Sequence, residues 1–175
     1  VMDWHVKQLF ENGITVYNVN YPLCPEVSLT NLVDYLHESL EKILKFNLVQ
    51  EDNPNIVLMG HSAGAHLAMH LAQSDIWQNN LIGIIAISGI FDCRVVREIS
   101  INEDVCLSQN EAEKLSILRN LPNNNLSYYI AVGAEEPSGW IDQSVELYGA
   151  LNRYDKDVIL RVVNEANHFS LVDKI

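Results

Sequence analysis

The stretch IVLMGHSAGAHLAMHLAQ, residues 56–73, decides the fold of this chain. Its first four residues form a short apolar block that predicts a buried β-strand, and the segment from Ala63 onward predicts a helix. Between them, residues 60–64 (GHSAG) match the pattern Gly-x-Ser-x-Gly. A strand, a tight turn and a helix are the setting in which this pattern forms a nucleophile elbow. We therefore predict that Ser62 projects its hydroxyl at the carboxyl edge of a sheet, as a candidate nucleophile.

The turn around Ser62 carries further expectations. Gly60 and Gly64 are small, and we expect both to let the helix pack close to the strand. The backbone N–H of Ala63, at the start of the helix, is predicted to point at a developing oxyanion. His61 is the variable position of the pattern, and it either lines a pocket or supports the turn.

The rest of the chain alternates between apolar blocks and helical segments. Such continuous blocks are typical of parallel strands that are covered on both faces. Strands are predicted over 14–21, 81–88, 126–132 and 158–163, and helices over 2–12, 28–46, 140–153 and the terminal segment. This order predicts an α/β fold with a mostly parallel sheet and helices on both faces. We expect one domain over 1–175, with residues 91–125 as a small helical cover.

Composition and charge exclude several classes of partner. The formal net charge of −12 argues against nucleic acid and anionic membrane surfaces, since both require a basic footprint. No run of about 18 apolar residues is present, so no membrane span is predicted. Three widely spaced cysteines suggest reduced thiols in a cytoplasmic protein. We expect a small-molecule substrate, and the sequence leaves open whether the chain forms a homodimer.

A serine nucleophile needs a base, and the base needs an acid that orients it. His168 follows the last predicted strand and is the only histidine after the elbow helix, which makes it the candidate base. The acid should follow the strand over 126–132, where Glu135, Glu136 and Asp142 are candidates. We favour Glu136, because the following proline holds it in an extended or turn geometry at the loop tip, with Glu135 as the alternative.

His66 and His70 lie four residues apart on the elbow helix, a spacing that can bind a metal ion. The segment HLAMH lacks the glutamate of a His-Glu-x-x-His site, and no third ligand is evident. A core or surface contact of the helix is therefore the better interpretation. We expect neither a metal ion nor an organic cofactor.

Several motifs together resemble those of kynurenine formamidases, or arylformamidases, within the α/β-hydrolase superfamily. The resemblance lies in residues 21–26 (YPLCPE), 60–67 (GHSAGAHL), 88–92 (SGIFD), 107–113, 143–144 (QS) and 168–169 (HF). It implies an α/β-hydrolase fold and hydrolysis of N-formyl-L-kynurenine to kynurenine and formate, in tryptophan catabolism. In that family the Gln-Ser pair follows the catalytic acid by a short fixed number of residues. Counting back from Gln143-Ser144 by that number gives Glu136.

One family feature has no counterpart in this sequence. The family carries a His-Gly-Gly segment upstream of the first helix, whose N–H groups complete the oxyanion hole, whereas this chain contains no Gly-Gly. The resemblance therefore predicts a chain that is N-terminally truncated, or a protein that has lost this part. In either case we expect the first strands to be missing and a sheet edge to be exposed. Two alternatives remain open, namely a carboxylesterase acting on small acyl or aryl esters and a non-catalytic binding protein of the same fold.

Overall fold

A parallel β-sheet lies at the centre of the computed structural model, which describes residues 3–47, 54–77, 80–122 and 125–175. Its strands pair in the order β1-β2-β3-β4, and every neighbouring pair is parallel. They are β1 (Ile56–His61), β2 (Leu81–Ile87), β3 (Ser127–Gly133) and β4 (Asp157–Val163). Because the strands are parallel, their carboxyl ends meet at one edge of the sheet.

Helices connect the strands and confirm the predicted α/β architecture. The α-helices of the described ranges are α1 (Asp3–Glu11), α2 (Leu29–Asn47), α3 (Ala63–Leu71), α4 (Cys93–Val96), α5 (Asn102–Val105), α6 (Gln109–Lys114) and α7 (Ser138–Asn152). Within the same ranges, short 3-10 helices cover Asp75–Trp77, Ile117–Arg119 and Ser170–Asp173. None of these helices combines the length and the apolar composition that crossing a bilayer requires. Met2, included in the predicted first helix, lies outside the described residues.

One face of the sheet packs against α3 and α7. Ile84 of β2 and Ile130 of β3 are fully or almost fully buried in one cluster with Met69 of α3 and Leu147 of α7. Successive strand residues point to opposite faces, so these alternate positions form the core under the two helices. This packing holds the amino end of α3, and therefore Ser62, against the carboxyl edge of the sheet.

The opposite face is covered near the same edge by the C-terminal segment. Ile87 and Leu171 are both buried here, and Ile85 packs against them. The predicted terminal helix is the short 3-10 helix Ser170–Asp173. Because β2 contributes apolar side chains to both faces, its sequence is a continuous apolar block instead of an alternating one.

The prediction of a strand over residues 14–21 is wrong. This segment has irregular backbone and does not pair with the sheet. Val19 and Tyr21 instead pack against buried side chains of α2, including Leu32 and Leu36. A strand forms only where a neighbour supplies ladder hydrogen bonds, and no described strand does so for this segment.

The segment predicted as a small cover consists of α4, α5, α6 and the 3-10 helix Ile117–Arg119. Asp92 caps α4 by accepting a hydrogen bond from the Arg94 N–H at 3.0 Å. Ser108 and Glu111 form a capping box at the start of α6. These capping residues begin new helices at short intervals along the chain, so the cover consists of short helices.

Candidate active site

Ser62 has the backbone conformation of a nucleophile elbow, with φ of 57° and ψ of −122°. Its N–H donates to the Ile87 carbonyl at 2.9 Å, which holds the turn against the end of β2. Although Ser62 stands at the N-cap of α3, its side chain makes no capping hydrogen bond. A positive φ is costly for a residue other than glycine, and such strain is concentrated at functional sites.

The two elbow glycines have different roles. A Cβ on Gly60 would lie 2.1 Å from the Gly64 carbonyl oxygen, so only glycine allows the helix to approach the strand here. A Cβ on Gly64 would meet nothing within 4 Å. The expectation that both positions must be small is therefore wrong for Gly64, whose own Cα faces open space.

Ala63 is the first residue of α3 and is exposed. The N–H groups in the first turn of a helix have no intrahelical acceptor, and the helix dipole favours negative charge beside them. Ala63 therefore lies where an oxyanion donor is needed, next to the Ser62 hydroxyl. Its role as that donor stays a prediction.

Glu136 and His168 form a hydrogen-bonded pair at the same edge of the sheet. The Nδ1 atom of His168 lies 2.8 Å from Oε2 of Glu136, whose side chain is fully buried. The Gly133 N–H donates to the other carboxylate oxygen at 2.8 Å. The imidazole is 22% exposed, so one side of the pair is open to a ligand.

Glu135, the alternative acid, does not reach the histidine. Its side chain is exposed, and its backbone N–H donates to the Ala166 carbonyl at 2.9 Å. Asp142 is also exposed, on α7. Of the three carboxylates considered, the structure brings only Glu136 to His168.

Close backbone packing explains why the Glu136 loop and the His168 loop meet. A Cβ on Gly133 would lie 2.2 Å from the Ala166 carbonyl oxygen, so glycine is needed where the end of β3 touches the His168 loop. The Ala134 N–H also donates to the Val163 carbonyl at 2.9 Å. These contacts join the end of β3 to the end of β4 and bring an acid and a base together.

Asn167 fixes the turn that carries His168. Its side-chain oxygen accepts from the N–H groups of Phe169 and Ser170, both at 3.0 Å. Its own N–H donates to the Ser170 hydroxyl at 3.0 Å. This side-chain turn orients the residue between Asn167 and Phe169, which is His168.

His61 supports the histidine loop. Its Nε2 lies 2.9 Å from the His168 carbonyl oxygen, and the two imidazole centroids are 4.6 Å apart. Burial lowers the pKa of His61, so the ring is neutral at neutral pH and can donate to that carbonyl. The side chain thus links the elbow to the loop that carries the candidate base.

The electrostatics of Glu136 favour its charged form. Burial alone would raise the pKa of this carboxyl group, but hydrogen bonds from His168, Ser88 and the Gly133 N–H outweigh burial and hold the pKa below its ordinary value. A carboxylate that stays ionised can orient a neighbouring imidazole and stabilise its positive charge.

Ser88 lies in the candidate site, although the sequence motifs do not predict a role for it there. It follows β2 directly, is fully buried, and its hydroxyl hydrogen bonds to Oε2 of Glu136. The available signal was its position, since Ser88 is the polar residue that closes the apolar block over 81–88. Ligand sites of parallel sheets lie at the carboxyl ends of the strands.

His66 and His70 anchor the elbow helix to the cover. Both are buried, and each Nε2 lies 2.9 Å from the same Leu115 carbonyl oxygen. Across the described ranges, no group of three or more His, Cys, Asp or Glu side chains could hold a metal ion. Sγ of the buried Cys93 lies 3.2 Å from Nε2 of His66. Burial raises the pKa of this thiol to about 12, so Cys93 is unreactive at neutral pH.

Acid is expected to destabilise the fold through His66. Burial, and repulsion from His70, lower its pKa from 6.5 to about 3. In the unfolded chain the ring binds a proton at about pH 6.5, whereas in the native state it does so only near pH 3, so the unfolded state binds more protons between these values. The contribution of neutral His66 is complete above pH 6.5 and is lost as the pH falls toward 3.

Denaturant unfolding of wild type and His66→Gln at several pH values between 7.5 and 4.5 measures this effect. The glutamine amide can still donate to Leu115 but does not titrate. We therefore expect a shallower decline of the unfolding free energy with falling pH in the variant. Equal slopes for the two proteins would contradict the assignment to His66.

A family model described as alpha/beta hydrolase fold matches residues 10–171. The chain belongs to this family. Kynurenine formamidase of Danio rerio is 26% identical over 95% of the chain and 59% of its own length, and that of Salmo salar is 24% identical with the same coverage. The resemblance to kynurenine formamidases is thereby confirmed. The chain spans about three fifths of the length of these relatives.

The fold is also shared with solved esterase structures. An esterase of Pyrobaculum calidifontis superposes with a TM-score of 0.74 at 18% identity, covering 98% of this chain and 64% of the esterase. At this identity the similarity shows the α/β-hydrolase fold and no more.

Proposed function

We propose that the chain carries the catalytic centre of a serine hydrolase that cleaves N-formyl-L-kynurenine to L-kynurenine and formate. The observation that supports this most is the hydrogen bond between His168 and the buried Glu136, 2.8 Å from Nδ1 to Oε2, at the sheet edge that also holds the strained Ser62. Similarity to kynurenine formamidases suggests the substrate.

In the first half of the reaction, Ser62 forms a bond to the formyl carbon. Nε2 of His168 takes the hydroxyl proton as the Oγ atom attacks, and the carbonyl electrons move to oxygen. When the tetrahedral intermediate collapses, the bond between carbon and the aryl nitrogen breaks. His168 returns the proton to that nitrogen, so kynurenine leaves as a neutral amine.

In the second half, water replaces the amine. His168 takes a proton from the water as it attacks the formyl-serine, and then returns the proton to Ser62 Oγ as formate leaves. Glu136 accepts from Nδ1–H throughout, so Nε2 is the nitrogen that is free to act as base. The Ala63 N–H is the proposed donor to the oxyanion in both halves.

Two aromatic rings beside His168 favour an aryl substrate. The ring of Phe169 stands edge-on to the imidazole with 5.3 Å between centroids, and that of Trp140 does so at 6.0 Å. Phe169 is 79% exposed, so its ring is accessible to a ligand. A bound aromatic amine would cover this ring, which makes Phe169 a candidate substrate contact.

Phe169→Ala is expected to lower kcat/KM for N-formylkynurenine about 3- to 10-fold, because an aromatic pair contributes about 0.5–1.5 kcal/mol. Hydrolysis of a small ester such as ethyl acetate should change less, since it has no ring to lose. Phe10→Ala is the matched control, because Phe10 is 73% exposed on α1. Equal losses on both substrates would argue against an aryl contact.

The decisive test measures N-formylkynurenine and p-nitrophenyl acetate hydrolysis on the 175-residue chain and on the complete gene product. Kynurenine absorbance reports the first reaction. Turnover of the formamide supports the proposal, whereas turnover of the ester alone would indicate a carboxylesterase. Failure of both substrates, with no fluorophosphonate label on Ser62, would indicate a non-catalytic protein of the same fold.

A further inference from the structure

Ser88 contacts both Glu136 and His168. It directly follows β2, whereas Glu136 follows β3 and His168 follows β4. Its N–H donates to the Ala131 carbonyl at 2.7 Å, which extends the β2–β3 ladder by one residue. Its φ of 46° then turns the chain away from the sheet. This strained conformation fixes the direction of a side chain that is fully buried between the ends of β1 and β3.

The Ser88 hydroxyl contacts both members of the pair. Its Oγ atom hydrogen bonds to Oε2 of Glu136 and lies 2.7 Å from Nδ1 of His168. The same Oε2 and Nδ1 atoms are 2.8 Å apart. Three polar atoms from the ends of three different strands thus form a closed triangle.

The chemistry of the three groups assigns the protons in this triangle. An ionised carboxylate can only accept, so the single hydroxyl proton of Ser88 points at Glu136. The remaining lone pairs of Oγ then face Nδ1, where they favour a proton on that nitrogen. His168 Nδ1–H is therefore shared between a carboxylate and a hydroxyl oxygen, and both acceptors select the tautomer whose Nε2 is unprotonated.

We propose that Ser88 is a positioning residue that holds the Glu136 carboxylate and the His168 imidazole in the arrangement needed for catalysis. This inference rests on the proposed hydrolase function, because it assigns His168 the role of base. Ser88 acts through Glu136 and His168 and does not itself touch the substrate. Removal of its hydroxyl leaves the buried carboxylate with one donor fewer and the imidazole with one acceptor fewer.

Ser88→Ala should lower kcat about 10- to 100-fold and leave KM within about twofold, since hydrogen bonds to charged groups are among the strong ones. Ser88→Gly also lacks the hydroxyl but relieves the positive φ, so both variants should lose the same activity. Ser116→Ala is the matched control, because Ser116 is equally buried, at 1% exposure, in the cover. When the rate is divided by the concentration of sites that a fluorophosphonate labels, this variant should have the kcat of wild type.

A double-mutant cycle separates positioning from general packing. In the Glu136→Gln background, Ser88→Ala should cost less than about threefold, because the carboxylate through which Ser88 acts is already gone. The proposal would be overturned if the loss of kcat in the double variant equalled the product of the two single losses. It would also be overturned if kcat of Ser88→Ala stayed within about threefold of wild type. Recovery of activity in Ser88→Gly alone would also overturn it, because the backbone and not the hydroxyl would then matter.

The downfield proton resonance of His168 Nδ1–H tests the same contact without turnover. In Ser88→Ala we expect this resonance to move and to exchange faster with water, whereas Ser116→Ala should leave it in place. A resonance that is unchanged in Ser88→Ala would overturn the proposal even if the enzyme is active. Absence of wild-type turnover contradicts the proposed function instead, so the two failures are distinguishable.

Discussion

Ser62→Ala is expected to lower kcat for N-formylkynurenine by at least about 10⁴-fold, since loss of a nucleophile removes the covalent route and leaves only binding and oxyanion contacts. Alanine keeps the Cβ that the elbow accommodates at φ of 57°. The Ser62 side chain makes no capping hydrogen bond with α3, so its removal leaves no helix donor without a partner. We therefore expect wild-type stability in the variant.

Three measurements check this prediction. Kynurenine release gives kcat, denaturant unfolding gives stability, and a fluorophosphonate probe followed by peptide mapping gives the site of covalent labelling. Ser100→Ala, an exposed serine of the cover, is the matched control and should keep both activity and labelling. Undiminished turnover in Ser62→Ala, or a label on another residue, would remove Ser62 from the nucleophile role.

The elbow could be predicted because its information is local. The glycine at position 60, the serine at 62 and the helix after it lie within a few residues, and the structure reproduces the strand, turn and helix. The parallel sheet followed in the same way, from continuous apolar blocks separated by helical segments. Such features depend on periodicity and short spacing, which one sequence displays directly.

Features that depend on a distant neighbour were harder to predict. Residues 14–21 have the composition of a strand, but Val19 and Tyr21 pack against α2 and the segment pairs with no described strand. Ser88 belongs to the candidate site only because β2 places it beside residues 48 and 80 positions further along the chain. The sequence shows where a strand ends, but not which side chains from other strands face it there.

The sequence predicts only in part which of the adjacent residues Glu135 and Glu136 is the acid. The proline after Glu136 indicated a turn, yet the turn alone does not show which carboxylate faces inward. The structure separates the two by burial, with the Glu136 side chain fully buried against His168 and Glu135 exposed. That difference rests on the close contact between Gly133, the last residue of β3, and Ala166 in the loop that carries His168.

Glu136→Gln is accordingly expected to lower kcat on the order of 10⁴-fold, whereas Glu135→Gln should stay within about twofold of wild type. The glutamine amide has nearly the same shape but no charge to stabilise the imidazolium. When its NH₂ group faces Nδ1, the amide also selects the tautomer in which Nε2 carries the proton and cannot act as base. Glu135 supplies only a backbone N–H to Ala166, and its substitution leaves that bond in place.

The two isosteric variants form a matched pair, because they change adjacent residues by the same atoms. Steady-state kinetics on N-formylkynurenine gives kcat and KM for each, and the Glu136 variant should lose kcat with little change in KM, since the carboxylate acts through His168. A larger loss in Glu135→Gln would move the acid by one residue. Equal small losses in both would show that His168 works without a carboxylate, and the hydrogen-bonded pair would then be structural.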